Sequence, residues 1–221
     1  LQRAREVAEA ANLAKSRYIV GVSHEIRSPL NTISGYAQLL ERDPTHRPAD
    51  AVRVIRRSTS HLVNLVDGLL DIARIENGSL RIERNRINLG ELLDQIVDMF
   101  SLQAAAKGLR FDHERPPSLP DFVFTDEKRL RQILINLISN AIKYTPAGGA
   151  SLIVRWRDPV AEFDIVDTGV GIAEPDLERI FEPFERAGNH HGALGIGLGL
   201  TIARLLAEIM GGHLAVQSQA G

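Results

Sequence analysis

The sequence predicts an α+β protein in which an antiparallel helical hairpin precedes an α/β sandwich. Up to about residue 76, apolar and small residues recur in steps of three and four, which is the spacing of amphipathic helices. From residue 79 onward, alternating strand patterns are mixed with helical ones, as in one sheet under one helical layer. We therefore expect three segments, residues 1–17, 18–78 and 79–221.

The composition is that of an ordinary globular protein and excludes several classes of function. The 221 residues are 44% hydrophobic and 24% charged, and no apolar run reaches membrane-spanning length. The net charge of -2 gives no basis for nucleic-acid binding. The lack of cysteine excludes disulfides and fits a cytoplasmic location. Because Leu1 falls within a helical pattern and Gly221 ends abruptly, we expect further sequence at both ends, including an upstream sensor domain.

Two helices are predicted in the first part of the chain. The first runs from residue 1 to about 42, and its alanine-rich first half resembles a two-stranded coiled coil that enters from an upstream domain. Pro44 and Pro48 end it, and a second helix follows from about 49 to 76. A lone hairpin cannot bury both apolar faces, so a homodimer that forms a four-helix bundle is expected.

The first helix carries a histidine in the segment Ser23 to Leu30. His24 lies just off the apolar seam and should face water, while Pro29 should bend the helix by removing a backbone hydrogen bond. Ser28 shares the face of His24, and Glu25 could hold one ring nitrogen as N–H, leaving the other as a nucleophile. The alternative is a solvated helix histidine beside a chance proline.

The second part of the chain mixes helices and strands, and we expect all its strands in one sheet. Asp126 should cap the helix at 126–144. Strands are predicted at 80–83, 109–113, 122–124, 152–156, 163–167 and 213–217, and helices at 89–107, 126–144 and 198–210.

Asn136 and Asn140 lie one turn apart on a helix that is otherwise apolar nearly all round. Buried amides need hydrogen-bond partners, and an amide oxygen is a suitable ligand for Mg²⁺. The alternative is a pair of satisfied core amides.

Asp167 ends a predicted apolar strand and is followed by Gly169 and Gly171. A carboxylate there, with glycines that let a ligand approach the backbone, suits an exocyclic amine such as that of adenine. The alternative is a tight turn.

A glycine-rich run at 192–201 opens the last predicted helix and would expose several N–H groups to a phosphate. It lacks the Gly-Lys-Ser/Thr of a Walker loop, and Leu200 breaks the dinucleotide-binding spacing. The polar residues between 184 and 195 predict a mobile lid. His190 and His191 are adjacent and point apart, so no metal site is expected there.

Taken in order, these motifs closely resemble a bacterial sensor histidine kinase of the two-component type along nearly the whole chain. The resemblance implies a dimerisation and histidine phosphotransfer domain over 18–78 and an ATP-binding domain of the Bergerat (GHKL) fold over 79–221. The matching segments are the phospho-acceptor box Ser23–Leu30, the N box Asn136–Thr145, the first glycine box Asp167–Gly171, the F box Phe181–Phe184 and the second glycine box Gly195–Gly199.

The resemblance also implies roles for individual residues. His24 would accept the γ-phosphoryl group of ATP, and Glu25 would orient and deprotonate it. Asn140 would bind Mg²⁺ and Asn136 would assist, while Asp167 would receive the adenine amine. The other residues expected to contact or enclose the nucleotide are Lys143, Tyr144, Gly169, Gly171, Arg186, Gly195, Gly197 and Gly199.

The implied activity is autophosphorylation of His24 and transfer to an aspartate of a response-regulator receiver, with a hinge near 77–79. Family members that also act as phosphatases commonly have Thr or Asn where Ser28 stands, and the Ser28 hydroxyl could still orient a water for that reaction. The family domain usually has a further strand after 213–217, and Gly221 stops short of it. Two rivals remain open: a GHKL ATPase that drives a conformational clamp, and a dimeric scaffold that binds nucleotide without phosphotransfer.

Overall fold

The computed structural model describes residues 2–43, 48–185 and 197–219, with side chains from residue 19 onward. The chain divides into two compact units, Leu1–Arg74 and Ile75–Gly221. Among the described residues, none of the helices combines the length and hydropathy that a membrane-spanning segment needs.

The first unit consists of two long helices, α1 (Gln2–Arg42) and α2 (Pro48–Glu76). The two predicted helices are confirmed, and α1 continues as one helix through Pro29. On α2 the buried residues are Ala51, Leu65, Gly68 and Ile72. Ala51, Leu65 and Ile72 are separated by multiples of seven, and Gly68 lies three residues after Leu65, which is the repeat of helices packed side by side.

The hairpin leaves a second set of apolar side chains uncovered on both helices. The residues concerned are Ile19, Val20, Leu30 and Leu39 on α1 and Val52, Val63, Val66 and Leu70 on α2. This apolar surface is available for a further helical partner.

The second unit has the predicted mixture of helices and strands. Its elements are β1 (Asn85–Asn88), α3 (Leu89–Ala106), β2 (Arg110–Glu114), β3 (Phe122–Thr125), α4 (Glu127–Tyr144), β4 (Gly149–Arg157), β5 (Val160–Asp167), two 3₁₀ turns (Glu174–Asp176 and Arg179–Phe181) and α5 (Gly199–Ile209).

The strands form two sheets, so the expectation of a single sheet was wrong. β1 pairs antiparallel with β3, and each directly precedes a helix. The second sheet has the order β2-β4-β5, with β2 parallel and β5 antiparallel to β4. The short strands β1 and β3 pair with each other at the entries to α3 and α4 and do not extend the larger sheet.

One hydrophobic core joins α3, α4 and the three-stranded sheet. Phe100 of α3 is almost fully buried, and its ring centroid lies 6.4 Å from that of Phe111 on β2. α5 packs against α4 and buries Ile202, Ala203 and Leu206. α3 and α4 therefore cover the sheet, and packing against α3, α5 and the sheet fixes the position of α4, which carries the N box.

The strand predicted at 80–83 is not formed, and the first strand begins at Asn85. The backbone N–H of Glu83 instead donates to Oδ2 of Asp126 at 3.0 Å. Oδ1 of Asp126 accepts from the N–H of Arg129, which confirms the predicted helix cap. The buried carboxylate of Asp126 thus accepts hydrogen bonds from two segments of the chain. The N–H of Glu83 has its hydrogen-bond partner without a neighbouring strand.

The prediction of a strand at 213–217 is also wrong. Burial alternates along these residues as it would in a strand, yet no ladder partner lies beside them in the described part of the chain. Just after these residues, Oγ of Ser218 accepts from the N–H of Ile172 at 2.9 Å. A period-two pattern alone does not supply the second strand that a ladder needs.

Phe184 and Gly197 are joined by a backbone hydrogen bond of 3.0 Å from the N–H of Phe184 to the carbonyl of Gly197. Both have positive φ, 67° at Phe184 and 74° at Gly197. A Cβ at residue 197 would lie 2.9 Å from the Phe184 backbone, so only glycine fits this close approach.

Candidate active site

The phospho-acceptor segment lies in α1 with its histidine at the surface. His24 is exposed, as the sequence predicts, and Ser28, one turn further on, is exposed as well. Pro29 is buried and has no N–H to donate to the carbonyl of Glu25. An imidazole in this position is open to an incoming phosphoryl donor.

Among the described residues Glu25 makes no hydrogen bond to His24, and its expected role in orienting that imidazole stays a prediction. Within the described residues, its carboxylate lies beside His61 of α2, with Nε2 and Oε2 3.7 Å apart. That is longer than a direct hydrogen bond but within ion-pair range. The sequence did not reveal this role of His61, because the apolar spacing within one helix does not show which residues of the other helix it contacts.

Asn136 and Asn140 are both half-buried on α4 but have different surroundings. The amide of Asn136 donates to the carbonyl of Gly199, the first residue of α5, at 3.2 Å. Asn140 makes no side-chain hydrogen bond with any described residue. The alternative of a satisfied amide therefore holds for Asn136, whereas the amide of Asn140 is available to a ligand.

Lys143 and Tyr144 interact with each other at the C-terminal end of α4. Nζ of Lys143 lies 3.0 Å from the Tyr144 hydroxyl and 4.6 Å from the centroid of its ring. This geometry combines a hydrogen bond with a cation–π contact. It keeps a positive charge at the C-terminal end of the N box.

Asp167 is the last residue of β5 and begins a tight turn. Its Oδ1 accepts from the N–H of Gly169 at 2.8 Å, and the N–H of Val170 donates to the carbonyl of Tyr144 at 3.4 Å. A Cβ on Gly169 would lie 2.6 Å from Oδ1 and 2.7 Å from the Tyr144 carbonyl. The turn alternative is thus correct as local structure, and Oδ2 has no hydrogen-bond partner among the described residues.

Three of the other predicted glycines are described. Gly171 has a φ of 69°, Gly197 makes the close contact with Phe184, and Gly199 begins α5 next to Asn136. The remaining site residues, Arg186 and Gly195, lie outside the described residues, as do the predicted lid and His190 and His191.

Two threonines that sequence reasoning missed hold the loops of the site. The hydroxyl of Thr168 accepts from the N–H of Gly149 at 3.0 Å, which joins the first glycine box to the start of β4. The buried hydroxyl of Thr201 donates to the carbonyl of Phe181 at 2.9 Å, which joins α5 to the F box. Each threonine lies inside or next to a glycine motif, and this position in the sequence could have identified it as a candidate site residue.

Lys107 was also missed, and the sequence gives no sign of its role. Its Nζ donates to the carbonyls of Ile142 and Lys143, at 2.8 and 3.2 Å. A cation at the C-terminal end of a helix is favoured by the helix dipole and satisfies carbonyls without an intrahelical donor. Lys107 therefore caps the C-terminal end of α4.

The described residues contain no group of three or more histidine, aspartate or glutamate side chains able to hold a metal by themselves. Mg²⁺ typically takes few protein ligands and completes its shell with water and phosphate oxygens. The unpartnered amide of Asn140 fits a single ligand of that kind.

The chain matches two family models. Residues 14–78 match the His Kinase A (phospho-acceptor) domain, and residues 125–221 match the histidine kinase-, DNA gyrase B- and HSP90-like ATPase. The whole chain aligns at 34% identity with the histidine protein kinase DivJ of Caulobacter vibrioides and spans 38% of its length.

Solved structures agree with these matches. Full-length ShkA in complex with AMPPNP is 33% identical, with a TM-score of 0.69, over 93% of this chain and 43% of that one. The histidine kinase ThkA in complex with the response regulator protein TrrA is 25% identical, with a TM-score of 0.64, over 94% of this chain and 57% of that one. With its phospho-acceptor helix, its N box and its glycine boxes in this order, the chain belongs to the sensor histidine kinases and comprises their catalytic core.

Proposed function

We propose that this chain uses Mg²⁺-ATP to phosphorylate His24 and then passes the phosphoryl group to an aspartate of a response-regulator receiver. The observation that carries the proposal is an exposed imidazole on α1, within the region that matches a phospho-acceptor domain. An ATPase domain follows it in the same chain. The cytoplasm, where ATP is available, is the proposed location.

In the proposed step, one ring nitrogen of His24 attacks the γ-phosphorus of ATP. The bond from that phosphorus to the bridging oxygen breaks, ADP leaves, and the proton on the other ring nitrogen passes to Glu25. Such a transfer depends mainly on positioning and charge neutralisation. Bound Mg²⁺ would neutralise charge on the phosphates, and Asn140 would hold it.

In the second unit, Asp167 would receive the adenine amine through the oxygen that the turn leaves without a partner. Lys143 and Tyr144 would contact phosphate and nucleotide from the end of α4. Asn136 would act through its bond to Gly199, keeping the start of α5 in position. The glycines would let the backbone approach the ligand, with Arg186 and Gly195 contributing from the lid.

The proposed partners are a second copy of the chain and a receiver domain. The exposed apolar side chains of α1 and α2 support a dimer, because a four-helix bundle would bury them. The named complex of ThkA with a response regulator supports the receiver.

The test is incubation with γ-labelled ATP and Mg²⁺, followed by assay of protein-bound label that is acid-labile and base-stable. The wild-type chain should become labelled, and His24→Gln should lose the label but still bind ATP. Labelling that persists in His24→Gln would contradict the assignment. Free phosphate without protein label would favour the ATPase clamp, and binding without either product would favour the scaffold.

The same assay on mixed dimers tests whether a subunit phosphorylates itself or its mate. One subunit carries His24→Gln and the other Asn140→Ala, so only transfer between subunits can give label. Label in this dimer indicates phosphorylation of one subunit by its mate, and its absence indicates phosphorylation within a subunit.

A further inference from the structure

Glu25 and His61 form a half-buried pair between the two helices of the hairpin. Their side chains are 32% and 19% exposed, and Nε2 lies 3.7 Å from Oε2. One turn beyond His61, Leu65 is fully buried, and one turn beyond Glu25, Pro29 is buried. Because residues four apart share a helix face, the pair lies on the inward faces of both helices.

This position places Glu25 between the interior of the hairpin and the phospho-acceptor. Neighbouring residues on a helix point about 100° apart, so exposed His24 projects from the face next to that of Glu25. A free glutamate has several rotamers, and a partner that holds one of its oxygens restricts them. His61 is the partner that the described structure provides.

We infer that His61 is a positioning residue for the phosphorylation of His24. In this role its imidazole, 3.7 Å away, draws one oxygen of the Glu25 carboxylate toward α2. The other oxygen is left to take the proton of His24 as the nitrogen–phosphorus bond forms and ADP leaves. This inference rests on the proposed function. It differs from a purely structural role, in which the pair would only join α1 to α2.

The two roles are separated by a kinetic cycle on the full chain. The rate of label incorporation from γ-labelled Mg²⁺-ATP is measured over a range of ATP concentrations in the wild type, His61→Ala, Glu25→Gln and the double variant. His61→Ala should lower kcat about 10-fold, part of the 10²–10⁴-fold of general base catalysis, and leave KM for ATP unchanged. In the Glu25→Gln background it should cause no further loss.

Two further variants serve as controls. His61→Gln keeps an N–H donor and should recover part of the rate, whereas the exposed neighbour Ser60→Ala should match the wild type. Circular dichroism at the helical minimum monitors the hairpin. If His61→Ala loses helicity, His61→Leu, which fills the half-buried position, replaces it in the cycle.

The inference is overturned if folded His61→Ala or His61→Leu labels within twofold of the wild-type rate, or if the loss is as large in the Glu25→Gln background. Either result leaves the proposed function intact as long as the wild type is labelled and His24→Gln is not. A wild-type chain that takes up no label overturns the proposed function and this inference with it.

Discussion

The side-chain amide of Asn136 donates a hydrogen bond of 3.2 Å to the backbone carbonyl of Gly199. Asn136 belongs to the N box on α4, and Gly199 to the second glycine box at the start of α5. One bond therefore joins two motifs through residues that lie 63 positions apart in the sequence. Asn136, which is expected to assist in metal binding, therefore also has a structural role. That role can be tested separately from ligand binding.

Replacing Asn136 with alanine should affect both stability and nucleotide binding. Loss of one half-buried hydrogen bond should lower the free energy of unfolding of the second unit by about 1 kcal/mol. ATP affinity should fall as well, since the start of α5 loses its tether. Urea unfolding followed by the fluorescence of Trp156, the sole tryptophan, reports on this unit. Wild-type stability in Asn136→Ala would contradict the tether.

Replacing Asn140 with alanine should have the opposite profile. Its amide has no hydrogen-bond partner among the described residues, so the unfolding free energy should stay within about 0.5 kcal/mol of the wild type. Binding of Mg²⁺-ATP, measured by calorimetry, should be lost. Retained affinity would show that Asn140 is not the metal ligand. Comparison with Asn136→Ala separates a ligand from a tether.

Gly169→Ala should destabilise the turn after β5 and weaken ATP binding. The added Cβ would lie 2.6 Å from Oδ1 of Asp167 and 2.7 Å from the carbonyl of Tyr144, so the backbone must shift. Gly35 of α1 is the matched control, because a Cβ there meets nothing within 4 Å. Gly35→Ala should stabilise its helix by about 0.5–1 kcal/mol. Equal ATP affinity in Gly169→Ala and wild type would show that ATP binding does not depend on the close packing of Gly169 against Asp167 and Tyr144.

Lys107→Met should destabilise the second unit by about 1 kcal/mol, because two carbonyls at the end of α4 lose a charged donor. Lys128→Met is the control, since this lysine is exposed in the first turn of the same helix. The difference between the two variants in urea unfolding isolates the cap. Equal stabilities would mean that solvent satisfies the carbonyls as well as Lys107 does.

The sequence predicted the helices of this protein better than its sheets. Periodicity located α4 and its cap at Asp126, since both depend on residues close together in the chain. It failed at 80–83 and 213–217, where a strand pattern is present but no second strand lies alongside. Strand formation depends on a distant partner, which alternation in one segment does not reveal.

The same distinction applies to the site. Asn140 and Asp167 could be selected because each is a polar residue in a conspicuous local setting. The pairing of Glu25 with His61, the capping of α4 by Lys107 and the bond from Asn136 to Gly199 all cross between elements. Such contacts depend on how side chains pack in three dimensions, which the spacing of residues within one element does not predict.

The hydrogen bond between Phe184 and Gly197 has a consequence for how this domain can vary. It fixes the two ends of the stretch between them at hydrogen-bonding distance, whatever number of residues connects them. The entropy of closing a loop grows only with the logarithm of its length, so insertions or deletions in that stretch should leave the register of α5 unchanged. Chimeras that exchange this stretch between relatives should therefore keep their fold while their nucleotide turnover changes.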